Sequence, residues 1–175
     1  MSARDLLIER TKDPHSVTEP VQCGKLRKGS YVLLGDTPCS IAQITFAKGG
    51  KHGASKAKIV GKGLLTGKTT VLNGVPSNKR MEAPVVRRCL YELIDCDEDG
   101  YLTVIDEEGN VRSDLSVGGG GGEVGEDKDS EALALTRQIR NSIADEGDER
   151  SPFVAVLSCM GVDKVTGVVL KDLNH

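Results

Sequence analysis

The feature that most restricts the folds open to this chain is a series of short apolar segments interrupted by glycine and proline. Three such segments lie in the first half, at residues 31–34, 39–47 and 57–65. Runs of Val, Ile and Leu that end in turn residues predict short strands joined by tight turns. The chain has no Trp, two Phe and three Tyr. We therefore expect two small aliphatic cores rather than one large core.

The second half repeats this pattern and adds a helix. Further strands are predicted at residues 88–95, 100–106, 110–117, 152–161 and 165–173, with turn chemistry between the first three. Residues 130–148 place Leu135, Ile139 and Ile143 on one apolar stripe, with Ser130 as the cap and Gly147 as the stop. The five glycines at 118–122 and the acidic residues up to 129 predict a flexible loop before this helix.

These segments predict an all-β, or mainly β, protein with two barrels. Residues 1–20 are expected to form an N-terminal tail, and residues 21–84 an SH3-like barrel. Residues 85–175 are expected to form an OB-fold barrel with one α-helix, because strands, a helix and further strands follow in that order. The stretch 73–84 is interpreted as turn-rich, with Pro84 at the link between the barrels.

The charges separate into a basic half and an acidic half. Residues 1–90 hold 16 Lys and Arg against 6 Asp and Glu, whereas residues 91–175 hold 7 against 20. Within residues 21–90 there are 13 basic residues, and Asp36 and Glu82 are the acidic ones. Such an excess is typical of proteins that bind the phosphate backbone of nucleic acids, and a merely solvated basic surface is the alternative.

Several classes of protein are disfavoured. No apolar run approaches the roughly 18 residues of a membrane helix, and the first residues lack a signal-peptide core. We therefore expect a cytoplasmic protein without a membrane partner. The five cysteines are widely spaced and form no CxxC pair, which predicts reduced thiols rather than disulfides or zinc ligands.

Two motifs resemble ligand sites without meeting their requirements. Residues 95–106 carry acidic residues near EF-hand spacing, but alternating strand-like segments flank them where helices are needed, so a hairpin turn is predicted. Residues 61–70 have the wrong glycine spacing for a phosphate-binding loop and open no helix, so a turn is predicted there too. No histidine has a nucleophile or acid partner in the sequence, which predicts no catalytic residues, no metal site and no enzyme activity.

The segment 48–58, KGGKHGASKAK, holds four lysines, one histidine and no acid. Its GKHG core, with the following AKIVG and LLTGK, resembles the hypusine loop of the eukaryotic translation initiation factor 5A family. The segments LRKGSYVLLGDTPCSI, VPSNKRMEAP, DGYLTVIDEEGNVRSDL and VAVLSCMG also resemble that family, in order, over about residues 21–161.

The resemblance implies that Lys51 is converted to hypusine with a group from spermidine, and that the chain needs no other cofactor. It implies a translation factor that binds the ribosome near the exit site, steadies peptidyl-tRNA, and promotes peptide bonds at stalling sequences such as proline runs, in elongation and termination. The expected partners are rRNA, peptidyl-tRNA, deoxyhypusine synthase and deoxyhypusine hydroxylase. The residues expected to bind RNA or the ribosome are Lys48, Gly50, Lys51, His52, Gly53, Lys56 and Lys58.

Ala54 and Ser55 depart from the family pattern, which usually has a His-Ala pair after GKHG. This chain therefore lacks the second histidine of the family pattern, and the departure bears on the contacts of that histidine, including recognition by the hydroxylase. Two other functions remain open from the sequence. One is a self-assembling structural protein of the same two-barrel fold, and the other is a calcium sensor that uses residues 95–106.

Overall fold

The computed structural model describes residues 17–49, 53, 55–117, 126–145, 147 and 149–172. The chain divides into two compact units, Met1–Val85 and Val86–His175. Strands dominate both units, which confirms the predicted mainly β class. The five cysteines are free thiols, as predicted.

The N-terminal unit is built from two antiparallel sheets. Its strands are β1 (Thr18–Gln22), β2 (Tyr31–Leu34), β3 (Thr37–Ala47), β4 (Lys56–Gly63), β5 (Thr69–Pro76) and β6 (Arg80–Pro84), and a 3-10 helix spans Cys23–Lys25. Strands β2-β3-β4-β5 form one sheet in that order, while β1 pairs with β6. Met81 of β6 shares one core with Val32, Ile41 and Ile59 of the larger sheet. The two-stranded ribbon therefore packs onto the sheet and completes a small barrel.

The C-terminal unit is one curved sheet and a helix. Its strands are β7 (Arg87–Cys96), β8 (Tyr101–Ile105), β9 (Val111–Ser116), β10 (Arg150–Cys159) and β11 (Val162–Asp172), with helix α1 at Glu126–Ala144. The sheet order is β11-β10-β7-β8-β9. Ile139 of α1 is fully buried in the core, with Leu135 and Ile143 partly buried beside it. The apolar stripe predicted for the helix is thus the face that packs.

A charged cluster joins the two edge strands of this sheet. The Arg112 guanidinium on β9 donates to the Asp163 carboxylate on β11 at 2.8 Å and to Asp114 at 2.7 and 2.8 Å. Arg112 also donates to the Tyr91 hydroxyl, and the Ser158 hydroxyl donates to Asp163. Because β9 and β11 are opposite ends of the sheet order, these bonds link its edges and show that the sheet curls into a barrel.

The structure corrects three boundaries. Residues 73–84 are mostly strand rather than turn, since β5 and β6 bury Val75 and Met81. Both strands are sheet edges, where proline costs no ladder bond. Strand β1 begins at Thr18, inside the segment assigned to the tail; residues 1–16 lie outside the described residues.

Helix α1 is the third correction. It begins at Glu126 and ends at Ala144, so Ser130 lies inside the helix and does not cap it. The sequence there opens with Glu126 and Asp127, and acidic residues stabilise the positive end of the helix dipole. The loop predicted at residues 118–129 is therefore too long by four residues, and its part at 118–125 lies outside the described residues.

Replacement of Ile139 by Ala should destabilise the C-terminal unit by about 2–5 kcal/mol, because it empties a buried site in the core. The matched control is Leu133→Ala on the same helix, where the side chain is 64% exposed and a change within about 0.5 kcal/mol is expected. Urea denaturation of the full chain, followed by NMR signals from each unit, measures both. Equal losses for the two variants would contradict the packing described here.

The Arg112 cluster should make the stability of the C-terminal unit depend on pH. The hydrogen bond from Arg112 lowers the pKa of Asp163, with a further contribution from Ser158. A carboxyl with a depressed folded-state pKa stabilises the fold above its unfolded value near 4, and that contribution is lost as pH falls through the folded value. Asp163→Asn should therefore cost about 1 kcal/mol at pH 7, and the difference from wild type should shrink on acidification.

Asp114→Asn is the control for this cluster. Asp114 bonds to the same arginine, but its side chain is 66% exposed, so water screens the pair and the loss should be smaller. The same urea series, repeated between neutral and acidic pH, compares the variants. If Asp163→Asn lowered the free energy of unfolding as much at acidic pH as at neutral pH, the negative charge of Asp163 would contribute nothing to stability.

Candidate functional site

The lysine-rich segment connects β3 to β4. The two strands pair up to Ala47 and Lys56, so residues 48–55 form the connection between them. Lys48 and Gly53 in this loop are exposed. The predicted modification site Lys51 and its neighbours Gly50, His52 and Ala54 lie outside the described residues, and their roles stay predictions.

Strand β4 presents its lysines on one face. Lys56 and Lys58 are exposed, whereas Ala57 and Ile59 between them are buried in the core. Successive side chains of a strand point to opposite faces, so the alternation of lysine and apolar residues in the sequence sets this arrangement. The predicted cations Lys56 and Lys58 thus lie side by side at the loop end of the strand.

Close packing anchors this strand to the barrel. Gly61 is buried, and a Cβ added there would lie 2.5 Å from Leu34 Cδ1 and 3.0 Å from Cys39 Cβ. A larger residue at this position would therefore push the buried Leu34 side chain aside and crowd Cys39, so glycine suits the close approach of β4 to β2 and β3. The lysine loop therefore lies at one end of a hairpin whose other end packs against the core.

The lysines in and beside the loop belong to a part of the chain that is rich in basic residues. The ion pairs of Arg112 lie in the C-terminal unit, and among the described residues Lys48, Lys56 and Lys58 have no ion-pair partner. With two acidic residues among residues 21–90, little negative charge is available to neutralise them. Unpaired, exposed lysines of this kind are suited to binding phosphates.

A pocket lies beside the lysine loop, and the sequence does not predict it. Its volume is about 480 Å³, and its lining residues are Gln22, Gly24, Lys25, Arg27, Phe46, Ser55, Ser77 and Asn78. Phe46 stands near the end of β3, before the lysine loop, and Ser55 is the last residue of that loop. The signal available in the sequence is weak, since it consists of one of two phenylalanines two residues before Lys48.

The rejected calcium motif is a hairpin turn, as predicted. The amides of Asp99 and Tyr101 donate to the Asp97 carboxylate at 3.0 and 2.8 Å, and Gly100 has a φ of 86°. Strands β7 and β8 stand on its two sides, where an EF-hand has helices. The carboxylate therefore caps backbone amides.

The rejected phosphate-binding motif is a turn between β4 and β5, also as predicted. The Gly63 amide donates to the Lys68 carbonyl and the Gly67 amide to the Gly63 carbonyl, at 2.8 and 2.9 Å. No helix follows this turn, because β5 begins at Thr69. Across the described ranges, no group of three or more His, Cys, Asp or Glu side chains is placed to hold a metal ion. No helix there is long and apolar enough to cross a membrane.

Two protein-family models match consecutive parts of the chain. The model for the N-terminal region of translation initiation factor 5A-like proteins matches residues 16–78, which include the lysine loop. The model described as eukaryotic elongation factor 5A hypusine, DNA-binding OB fold matches residues 85–168. The two matches fall on the two compact units.

Relatives and solved structures agree with these models. Eukaryotic translation initiation factor 5A-1 of Solanum lycopersicum is 32% identical over 91% of this chain and 89% of its own. The Arabidopsis thaliana protein of the same name is 30% identical over 99% of both chains. The structure of a translation initiation factor 5A family protein from Naegleria fowleri is 36% identical, with a TM-score of 0.73 over 87% of this chain and 99% of that one. Sequence and fold thus agree, and this chain belongs to the eukaryotic translation initiation factor 5A family, a family of translation factors.

Proposed function

We propose that this chain binds the ribosome near the exit site and promotes peptide bond formation at stalling sequences such as proline runs, in elongation and termination. In this proposal Lys51 is converted to hypusine and steadies the acceptor end of peptidyl-tRNA. The chain acts in the cytoplasm. The ribosome is the catalyst, and this chain orients one of its substrates.

The observation that carries the proposal is the β3–β4 hairpin. Its strands are paired up to Ala47 and Lys56, and the segment GKHG lies between those two ends in the sequence. A lysine at such a position can reach a partner that the rest of the barrel cannot approach. The family to which the chain belongs supports the modification, since hypusine stands in the description of a matching model.

The chemistry of the modified lysine suits an RNA partner. Transfer of an aminobutyl group from spermidine to the Lys51 amine, with release of 1,3-diaminopropane, lengthens the side chain and adds a second amine. Hydroxylation by an oxygen-dependent enzyme adds a further hydrogen-bonding group. Two cationic amines on one long chain can pair with phosphates in a narrow cleft. Deoxyhypusine synthase supplies the first step in this proposal and deoxyhypusine hydroxylase the second.

The exposed lysines flanking the loop support a broader RNA contact. We propose that Lys48, Lys56 and Lys58 bind phosphates of rRNA or tRNA, that Gly50 and Gly53 allow the backbone to turn, and that His52 contacts RNA beside Lys51. These lysines belong to a region with 13 basic and two acidic residues, and a concentrated positive charge of this kind speeds and strengthens association with RNA.

Lys51→Arg tests the modified side chain. Arginine keeps one positive charge and a similar length, but its delocalised guanidinium is a poor nucleophile and cannot accept the aminobutyl group. In cells that lack the native protein, we expect this variant to leave ribosomes stalled at proline runs, measured by ribosome profiling, with an unchanged melting temperature.

Lys48→Arg is the matched control, because it makes the same change in the same loop outside GKHG. It should support normal synthesis through proline runs. Normal synthesis by the Lys51→Arg variant would refute the role assigned to Lys51, since a plain cation would then be enough.

Lys56→Gln with Lys58→Gln tests the phosphate contacts. The double variant should bind ribosomes more weakly. Its affinity should also depend less on salt, and the negative slope of log affinity against log salt should become shallower by about one unit for each phosphate that the variant no longer binds. Both side chains are exposed, so the melting temperature should not change.

Lys68→Gln is the control for this pair. Lys68 lies beyond the other end of β4, roughly 20 Å or more from Lys56 at about 3.3 Å per strand residue. Its replacement should leave the salt slope nearly unchanged. Wild-type binding that does not vary between about 50 and 200 mM salt would contradict an interface built on phosphate contacts.

A further inference from the structure

The pocket beside the lysine loop has walls that are tied together by backbone hydrogen bonds. The Gly24 amide donates to the Ser77 carbonyl at 2.7 Å, and the Ser77 amide donates to the Ser55 carbonyl at 2.9 Å. These two bonds connect the 3-10 helix, the β5–β6 turn and the start of β4. A Cβ on Gly24 would lie 3.0 Å from the Ser77 carbonyl oxygen, so the walls are close-packed. The pocket is therefore a preformed feature of the barrel.

One wall of the pocket carries positive charge. Lys25 and Arg27 line it, and both are exposed. The Arg27 Nη1 donates to the Leu26 carbonyl at 3.1 Å and to the Gly24 carbonyl at 3.4 Å, which holds the guanidinium at the rim. An arginine has five N–H donors, so these bonds leave donors for an anion. No acidic residue is among the lining residues.

The lining of the pocket also includes an aromatic ring, that of Phe46. Phe46 stands directly opposite the buried Ala57 in the β3–β4 ladder, and cross-strand partners share one face of a sheet. Phe46 therefore belongs to the core-facing side of β3, yet it is 41% exposed. At the end of the barrel no core residue covers it fully, so part of the ring is available to a ligand.

We propose that this pocket binds one unpaired nucleotide of RNA, with its base stacked on Phe46 and its phosphate held by Lys25 and Arg27. A nucleotide is the ligand that uses both halves of the pocket, since it joins a flat aromatic base to an anion. The side chains of Ser55, Ser77 and Asn78 supply polar groups for the base edge. Stacking on an aromatic side chain combined with a basic rim is the usual way in which proteins hold single-stranded RNA.

The inference deepens the proposed function, because it names a second RNA contact of the same unit beside the lysine loop. It makes no use of the modification of Lys51. Binding can thus be measured with the full-length unmodified chain, and the result does not depend on synthesis through proline runs.

The test is binding of a single-stranded RNA of about ten nucleotides that carries one 2-aminopurine, whose fluorescence is quenched on stacking. The wild type should quench the probe. Phe46→Leu keeps an apolar side chain without a stacking ring, and should bind about tenfold more weakly with the quenching abolished. Phe46→Tyr should restore both. Melting temperatures establish that each variant is folded.

Two controls separate stacking from general charge. An abasic chain of the same length and charge should bind the wild type and Phe46→Leu equally, because it has no base to stack. Val71→Ala removes an exposed side chain of the same unit that does not line the pocket, and should change neither affinity nor quenching.

The phosphate half of the site is tested by Lys25→Gln, which should weaken binding of the base-containing and abasic chains alike. Equal affinity and equal quenching for wild type and Phe46→Leu would overturn the proposal, as would a failure of the folded wild type to bind the probe. Displacement of the RNA by polyglutamate at matched charge, equally well from wild type and Phe46→Leu, would mark a site for anions alone and also overturn it. In none of these cases would the role of Lys51 be affected.

Discussion

The pairing of β3 with β4 is the constraint on which the functional end of this molecule depends. Their ladder runs from Cys39 opposite Gly63 to Ala47 opposite Lys56, with one irregularity between Ile41 and Gln43. A further shift of β4 by one residue would exchange the two faces of that strand. Ala57 and Ile59 would then leave the core, and Lys56 and Lys58 would enter it. Burying unpaired lysines is costly, so the core and the placement of the lysines support one register.

The two ends of the β3–β4 hairpin have different properties: one packs closely against the core and the other is exposed and positively charged. Gly61 permits close packing of the far half of β4 against Leu34 and Cys39, while the loop half carries exposed cations with no ion-pair partner among the described residues. The pocket with Phe46 opens beside this loop. A rigid base with a charged, exposed end is the arrangement expected of a protein that positions another molecule's substrate.

Most of the fold could be predicted from the sequence because its signals are local. Strand β2 matches its predicted bounds, and the stripe through Ile139 is the buried face of the helix. The sequence does not predict β5 and β6, because turn-forming residues stand at positions 73, 74 and 76–78. The strand character of this stretch comes from tertiary pairing.

The candidate site was only partly accessible to the same reasoning. The lysines of the loop stand out as a run in the sequence. The pocket does not, because the backbone bonds that form it join Gly24 to Ser77 and Ser77 to Ser55. Residues so far apart come together only through the fold, and no period or motif marks them. For the same reason the sequence does not distinguish Lys25 and Arg27 from the other basic residues, and only the structure places them in the same pocket as Phe46.

The chemical state of Lys51 is the most direct test of the account. Intact mass measurement and peptide mapping of the protein purified from its own cells give this state without any assumption about translation. We expect the peptide that contains Lys51 to carry an added aminobutyl group, with or without one further oxygen, and the other lysines to be free of it. A fully unmodified Lys51 in actively growing cells would contradict the central claim that this residue acts as hypusine.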